Sequence, residues 1–262
     1  MHDRVTLFEA VYKAMGRSLR IHAHMISRIP RFLSYVFMCL ITLGGFVIIG
    51  AIFSFAFLLD HYDRVNPVSV PMRLDEFAYK PVRHNWVPLE RISPAMVRSV
   101  VAAEDDRFCF HRGVDWQELS AVLLDQQGPR RGASTITMQV VRNLFLWPSR
   151  SYIRKIIEIP MALLVEMVWT KRRILEIYLN IAEWGDGIYG VDAAANSYFA
   201  VSVQHITAAQ AVLMAASLPA PLLRNPSKPS FRQLRLAGAI RARIATQKNM
   251  SCLFLPKTAL RD

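Results

Sequence analysis

The chain is 262 residues long, 53% of them hydrophobic, with 32 Lys and Arg against 20 Asp and Glu for a net charge of +12. That apolar content excludes an intrinsically disordered chain and provides for a buried core, while the charge favours anionic partners. Three scattered cysteines, Cys39, Cys109 and Cys252, with no CxxC pair, argue against a disulfide framework and against a structural zinc site. A Cys109–Cys252 bridge is not the expectation; separation in sequence says nothing about geometry, so the pairing stays open.

Residues 1–35 form a basic leader, with Arg4, Lys13, Arg17, Arg20, Arg28 and Arg31 against Asp3 and Glu9. Leu7, Phe8, Val11, Tyr12, Met15 and Leu19 recur at helical spacing, which suits either a helix lying on an anionic leaflet or a solvated tail. Residues 36–59, VFMCLITLGGFVIIGAIFSFAFLL, contain no charged side chain. About 20 such residues suffice for a helix to cross a bilayer. A cleaved signal peptide has an apolar core of roughly 7–15 residues and ends in small side chains. This run is longer and ends in Phe57, Leu58 and Leu59, so it reads as a retained anchor. With the basic leader before it and Asp60 and Asp63 after it, the positive-inside rule puts the N-terminus in the cytoplasm and residues 60–262 outside.

Residues 60–90, with Pro67, Pro71, Pro81 and Pro88, read as an extended juxtamembrane connector, and residues 91–262 as one mostly α domain. In RISPAMVRSVVAAEDDRF, Ser93 is the expected N-cap and Pro94 the first helical residue. Val97, Val101, Glu104 and Phe108 then share one apolar stripe, with His111 and Gly113 ending the helix. A carboxylate on that stripe either pairs structurally or, partly desolvated, serves as a general base.

The stretch QQGPRRGASTITMQVVRNLFL follows. Gly128, Pro129, Arg130, Arg131 and Gly132 make a basic loop, and Ser134 and Thr135 are placed to cap the helix after it. Hydroxyls, arginines and a helix start suit a phosphate, although an ordinary basic surface loop has the same composition, and the P-loop pattern is absent. In SYIRKIIEIPMALLVEMVWTKRRILEIYLN, residues Ile153, Ile156, Ile157, Met161, Leu164, Val165 and Val168 predict a helix that is apolar on most sides and buried. Glu158 within it is a second candidate buried acid beside Arg154 and Lys155, with a plain i, i+4 ion pair as the alternative, and Pro160 is expected to kink the helix. Near the C-terminus, FRQLRLAGAIRARIATQ reads as a basic amphipathic helix.

Glu104, Asp105, Phe108, His111 and Gly113 match the E-D-x-x-F-x-x-H-x-G pattern of the peptidoglycan glycosyltransferases, glycosyltransferase family 51. GASTITMQVVRNLFL, RKIIE, TKRRILEIYLN and GIYGVDAAANSYF follow in that family's order, so the resemblance covers about residues 90–225. YLNIAEWGDGIYGV is most similar to the monofunctional transglycosylases, and no Ser-x-x-Lys with a later Lys-Thr-Gly marks a transpeptidase.

The resemblance implies a mostly α, lysozyme-like domain behind one transmembrane helix, its cleft open toward the membrane, that polymerises lipid II by inverting glycosyl transfer. It implies Glu104 as general base and Glu158 as a second acid that assists at the donor pyrophosphate directly, through its cationic neighbours, or through a divalent cation such as Mg or Mn. It further implies that Asp105, His111, Ser134, Thr135, Gln139, Arg142, Asn143, Arg154 and Lys155 bind substrate. The implied partners are lipid II, the growing glycan chain, membrane lipid and other cell-wall synthesis or division proteins, with no nucleic acid. Met138 stands where the family usually has Gln, and Arg142 where it often has Lys, which keeps the charge but not the geometry. A glycosidase on the same kind of fold and a catalytically dead membrane scaffold are the competing readings.

Overall fold

The computed structural model describes residues 31–124, 134–149, 151–247 and 250–254. The amphipathic stretch of the leader and the basic loop from Gly128 to Gly132 lie outside the described residues. The chain divides into two compact units, Met1–Phe55 and Ala56–Asp262.

The first described element, α1, is one helix over Arg31–Arg64. At about 1.5 Å per residue its 34 residues reach roughly 50 Å, more than the ~30 Å of a hydrocarbon core. Its apolar side chains are exposed through the stretch that the sequence reads as a span, as a helix solvated by lipid requires. The last turns belong to the second unit. Leu59 is buried there, its carbonyl accepts the indole N–H of Trp169 at 2.8 Å, and Tyr62 stacks on Phe145.

The predicted connector is not extended throughout. Ser69 caps a short helix, α2 (Val70–Phe77), by accepting the Met72 N–H, and Pro71 sits in the first turn where no donor is needed. Strand β1 (Arg83–His84) then pairs in parallel with β3 (Ile188–Tyr189), which pairs antiparallel with β2 (Glu183–Gly185). Gly187 in the β2–β3 turn has φ +64°, and a Cβ there would fall 2.2 Å from the Pro81 carbonyl, so this close approach requires glycine.

The helices of the second unit are α3 (Pro94–Glu104), α4 (Trp116–Leu124), α5 (Ile136–Phe145), α6 (Tyr152–Val168), α7 (Lys171–Ile181), α8 (Val191–Phe199), α9 (Ala208–Ala215), α10 (Phe231–Thr246) and α11 (Ser251–Phe254). Helix α3 packs against α9 and α10, and α5 packs against α6 and α7. The core between them includes Met96, Val100, Ile136, Val140, Ile174, Leu175 and Met214, all fully buried. Each such side chain contributes roughly 1.5–3 kcal/mol by leaving water.

Four local expectations are corrected. Helix α3 ends at Glu104, and Phe108 lies in a separate 3-10 turn over Phe108–Phe110, because Asp105 turns its side chain into tertiary bonds. Ser93 sits at the N-cap position but makes no side-chain cap bond. Helix α6, which continues through Pro160 to Val168, is not buried on most sides: Ile153 and Ile156 are 67% and 70% exposed, whereas Arg154, Glu158, Ala162 and Val165 form the inward stripe. Finally, Cys109 and Cys252 are disulfide-bonded, with Cα atoms 5.8 Å apart, so the 3-10 turn is tied to α11 across 143 residues of chain.

Candidate active site

Glu104 ends α3, half-buried, and its Oε2 accepts a hydrogen bond at 2.8 Å from Gln139 Nε2 on α5. The other end of the Gln139 amide accepts longer bonds, 3.4 Å each, from Arg142 and from the hydroxyl of Tyr178 on α7. Tyr178 is fully buried; burial, followed by the charge of Glu104, pushes its hydroxyl well above the ordinary tyrosine range. A phenol held neutral is a fixed donor beside the carboxylate.

The second acid lies on α6, which packs against α5. Glu158 is wholly buried, and its two oxygens accept from Arg154 and Lys155 at 3.1 Å each. Two cations on one carboxylate satisfy the requirement that a buried charge be paired. Arg154 is locked further by its bond to the Ser149 carbonyl. Lys155 also donates to Ser134 Oγ at 2.8 Å and lies 3.9 Å from Met138 Sδ. Burial lowers the Lys155 ammonium from its usual value; Glu158 opposes that shift, and Arg142 and Arg154 add to it. Ser134 therefore serves the lysine, while Thr135 alone caps α5, accepting from the Met138 N–H and donating to the Gly113 carbonyl at 2.5 Å. Met138, fully buried, supplies packing and a weak sulfur acceptor where an amide was expected.

Asp105 and His111 stand behind this arrangement. The buried Asp105 carboxylate accepts from His111 Nε2 at 2.9 and 3.0 Å and from the Ile136 N–H at 3.0 Å. That pair joins the end of α3 to the start of α5, and so aims Glu104 at Gln139. Gly113 closes the loop with φ +82°; a Cβ there would lie 2.6 Å from the Ala162 carbonyl. Asn143 is half-buried next to Arg142 on α5.

Sequence reasoning missed two contributors. Tyr178 carried a signal in the YLN pattern, being three residues from Leu175 on the buried face of α7. Glu166 carried none: it accepts from Thr137 at 2.6 Å and Lys171 at 2.7 Å, and Lys171 lies 4.3 Å over the Phe108 ring. Lys171 thus supports the motif loop from beneath, and burial lowers its ammonium below the usual range. Asn180, fully buried, bonds both polar groups of the Val87 backbone and is structural.

The residues present do not fit a resident divalent cation. Both Glu158 oxygens are committed to cations, and no group of three or more His, Cys, Asp or Glu side chains is suitably clustered among the described residues.

Comparison with known proteins supplies the decisive observation: the family described as Transglycosylase matches residues 72–247. The chain belongs to the transglycosylase family. A biosynthetic peptidoglycan transglycosylase of Brucella suis is 50% identical over 199 residues, covering 75% of this chain and 89% of the relative. Proteins of the same description from Agrobacterium fabrum and Rhizobium meliloti are 48% identical over 181 residues and 44% identical over 193. These cover 68% and 72% of this chain, and 80% and 82% of those relatives. The family match begins inside α2.

Proposed function

We propose that the chain polymerises lipid II into linear peptidoglycan strands, with Glu104 as general base and a cationic pocket around Glu158 receiving the leaving group. The observation that carries this is that α5 and the residue just before its cap reach both acids' surroundings. Gln139 engages Glu104, and five residues earlier Ser134 engages Lys155.

Glu104 takes the proton from the acceptor 4-hydroxyl as that oxygen forms a bond to the donor anomeric carbon. The bond from that carbon to the pyrophosphate oxygen breaks on the opposite face, and its electron pair leaves with undecaprenyl diphosphate, inverting the centre. Lys155, whose side chain is 32% exposed, meets the departing charge directly; Arg154, at 9%, acts from behind it. Glu158 is sealed from solvent and works through these two cations, holding them in place. Arg142 adds a third positive charge within electrostatic reach of Lys155. A glycosidase has no use for this concentration of cations, which favours the transferase over the hydrolytic reading.

The exposed Ile153, Ile156 and Ile157 lie on the same helix as Lys155 and support a cleft edge that meets lipid. We place α1 in the bacterial inner membrane with the basic leader cytoplasmic and the domain outside, alongside other cell-wall synthesis or division proteins. The charge asymmetry supports that orientation, as does the Cys109–Cys252 bridge, since disulfides persist in oxidising compartments.

The test incubates detergent-solubilised protein with labelled lipid II, with and without Glu104→Gln. Muramidase-sensitive polymer from the native chain and none from the variant is the expected result. Shortened preformed glycan would establish a hydrolase instead, and bound but unreacted lipid II from both would establish a scaffold.

A further inference from the structure

On α3, the helix that ends in Glu104, Arg98 borders two adjoining cavities. One, of about 400 Å³, is lined by Ala95, Val212 and Arg241 among others; the second, of about 350 Å³, reaches Gln247, Met250 and Phe254. Arg98 and Ile244 line both, so the two form one groove across α3, α9, α10 and α11. The part beside Val212 is mainly apolar and the part beside Gln247 and Ser251 mixed; Arg98 and Arg241 edge the groove, and among the described residues no acidic side chain lines either part. Arg98 lies 5.6 Å from the Phe254 ring centroid, and among the described residues no carboxylate pairs with it.

Two further observations mark the groove as built. The Gln247 carboxamide is buried at both its nitrogen and its oxygen, with no hydrogen-bond partner for either among the described residues. Leaving both a donor and an acceptor unsatisfied costs free energy that a ligand with a matching pair would recover. The α11 wall is also held rigidly: Cys252 is bridged to Cys109, and Arg172 donates to the Leu253 carbonyl. A preformed wall lowers the ordering cost of binding.

We propose that this groove docks an extended, acidic segment of a partner protein. Its carboxylates pair with Arg98 and Arg241, apolar side chains between them fill the part beside Val212, and the Gln247 carboxamide turns out of its buried position to meet one peptide group, being a donor and an acceptor in one plane just as a peptide bond is. Neither Arg98 nor Arg241 belongs to the catalytic arrangement, so the site goes beyond the polymerase reading and stands apart from it.

The test pans a random short-peptide display library on the full chain in detergent, counter-selecting on an Arg98→Glu/Arg241→Glu double variant. Recovered sequences are then measured by fluorescence anisotropy. The expected result is enrichment of Asp and Glu alternating with apolar residues, with affinity falling about tenfold or more in the double variant and with added salt. Gln247→Leu should weaken binding several-fold with salt dependence unchanged. Lipid II polymerisation by both variants should match the native chain, which shows that they are folded; a native chain that makes no polymer would overturn the polymerase reading alone. Absence of acidic enrichment, purely apolar selected peptides, or equal affinity for the charge-reversed variant would each overturn the docking site.

Discussion

Gln139 donates its amide N–H to Glu104 at 2.8 Å, joining the last residue of α3 to the first turns of α5. This bond fixes the direction in which the carboxylate points. A general base in such a position contributes about 10²–10⁴-fold, so Glu104→Gln should lower the rate of lipid II polymerisation by that factor while leaving lipid II binding within a few-fold. Gln139→Ala should lower the maximal rate by less, since it frees the base without removing it. Single-turnover kinetics with labelled lipid II separates the two.

Lys155 gives a pH signature. Its ammonium loses its proton below the ordinary lysine value of 10.5 because burial outweighs the attraction of Glu158. The pocket carries the Lys155 charge, beside those of Arg154 and Arg142, only below that lowered pKa, so the alkaline limb of activity should fall before pH 10.5 is reached. Lys155→Arg, which stays charged, should move the limb to higher pH at reduced maximal rate. In stability the sign is opposite: the cost of burying the charge is present at neutral pH and is relieved as pH rises through the folded pKa. A pH–rate profile of both proteins checks the first claim and a pH series of denaturant midpoints the second.

Cys252→Ser removes a link that closes a loop across 143 residues. The expected loss is about 2–4 kcal/mol of unfolding free energy. Urea titration of the detergent-solubilised variant, against native protein with and without thiol reductant, measures it; reduced native protein should match the variant.

Gly113→Ala places a Cβ 2.6 Å from the Ala162 carbonyl at a residue with φ +82°. Strain and clash together should cost about 2 kcal/mol or more and shift the loop that carries His111. A lowered thermal midpoint accompanied by a lower polymerisation rate is the expected outcome, and a silent substitution would show that the loop moves freely.

Helix α6 shows best where sequence legibility stopped. Its period and the candidate buried acid Glu158 were readable, but the helix was expected to be buried on most sides, and the structure leaves Ile153 and Ile156 exposed while Arg154 goes inward with Glu158. A charge goes inside when another charge from the same helix and a hydroxyl from another element meet it, and Ser134, twenty-one residues before Lys155, is invisible to a periodic argument. Asp105 is the same case. Its neighbour Glu104 was legible as a carboxylate on an apolar stripe, whereas its bonds to His111 and Ile136 depend on how α3 meets α5.

Properties that rest on local order were determined by the sequence alone: the apolar run of α1, long enough to cross a bilayer, the helical periods, and the ordered motifs that mark the transglycosylase family. The tertiary structure alone decided the Cys109–Cys252 bridge, the exposure of Ile153 and Ile156, the Tyr178 contact with Gln139, and the groove beside Arg98. Each of these joins residues from different elements, and their energies depend on distances of a few ångströms that no spacing along the chain specifies.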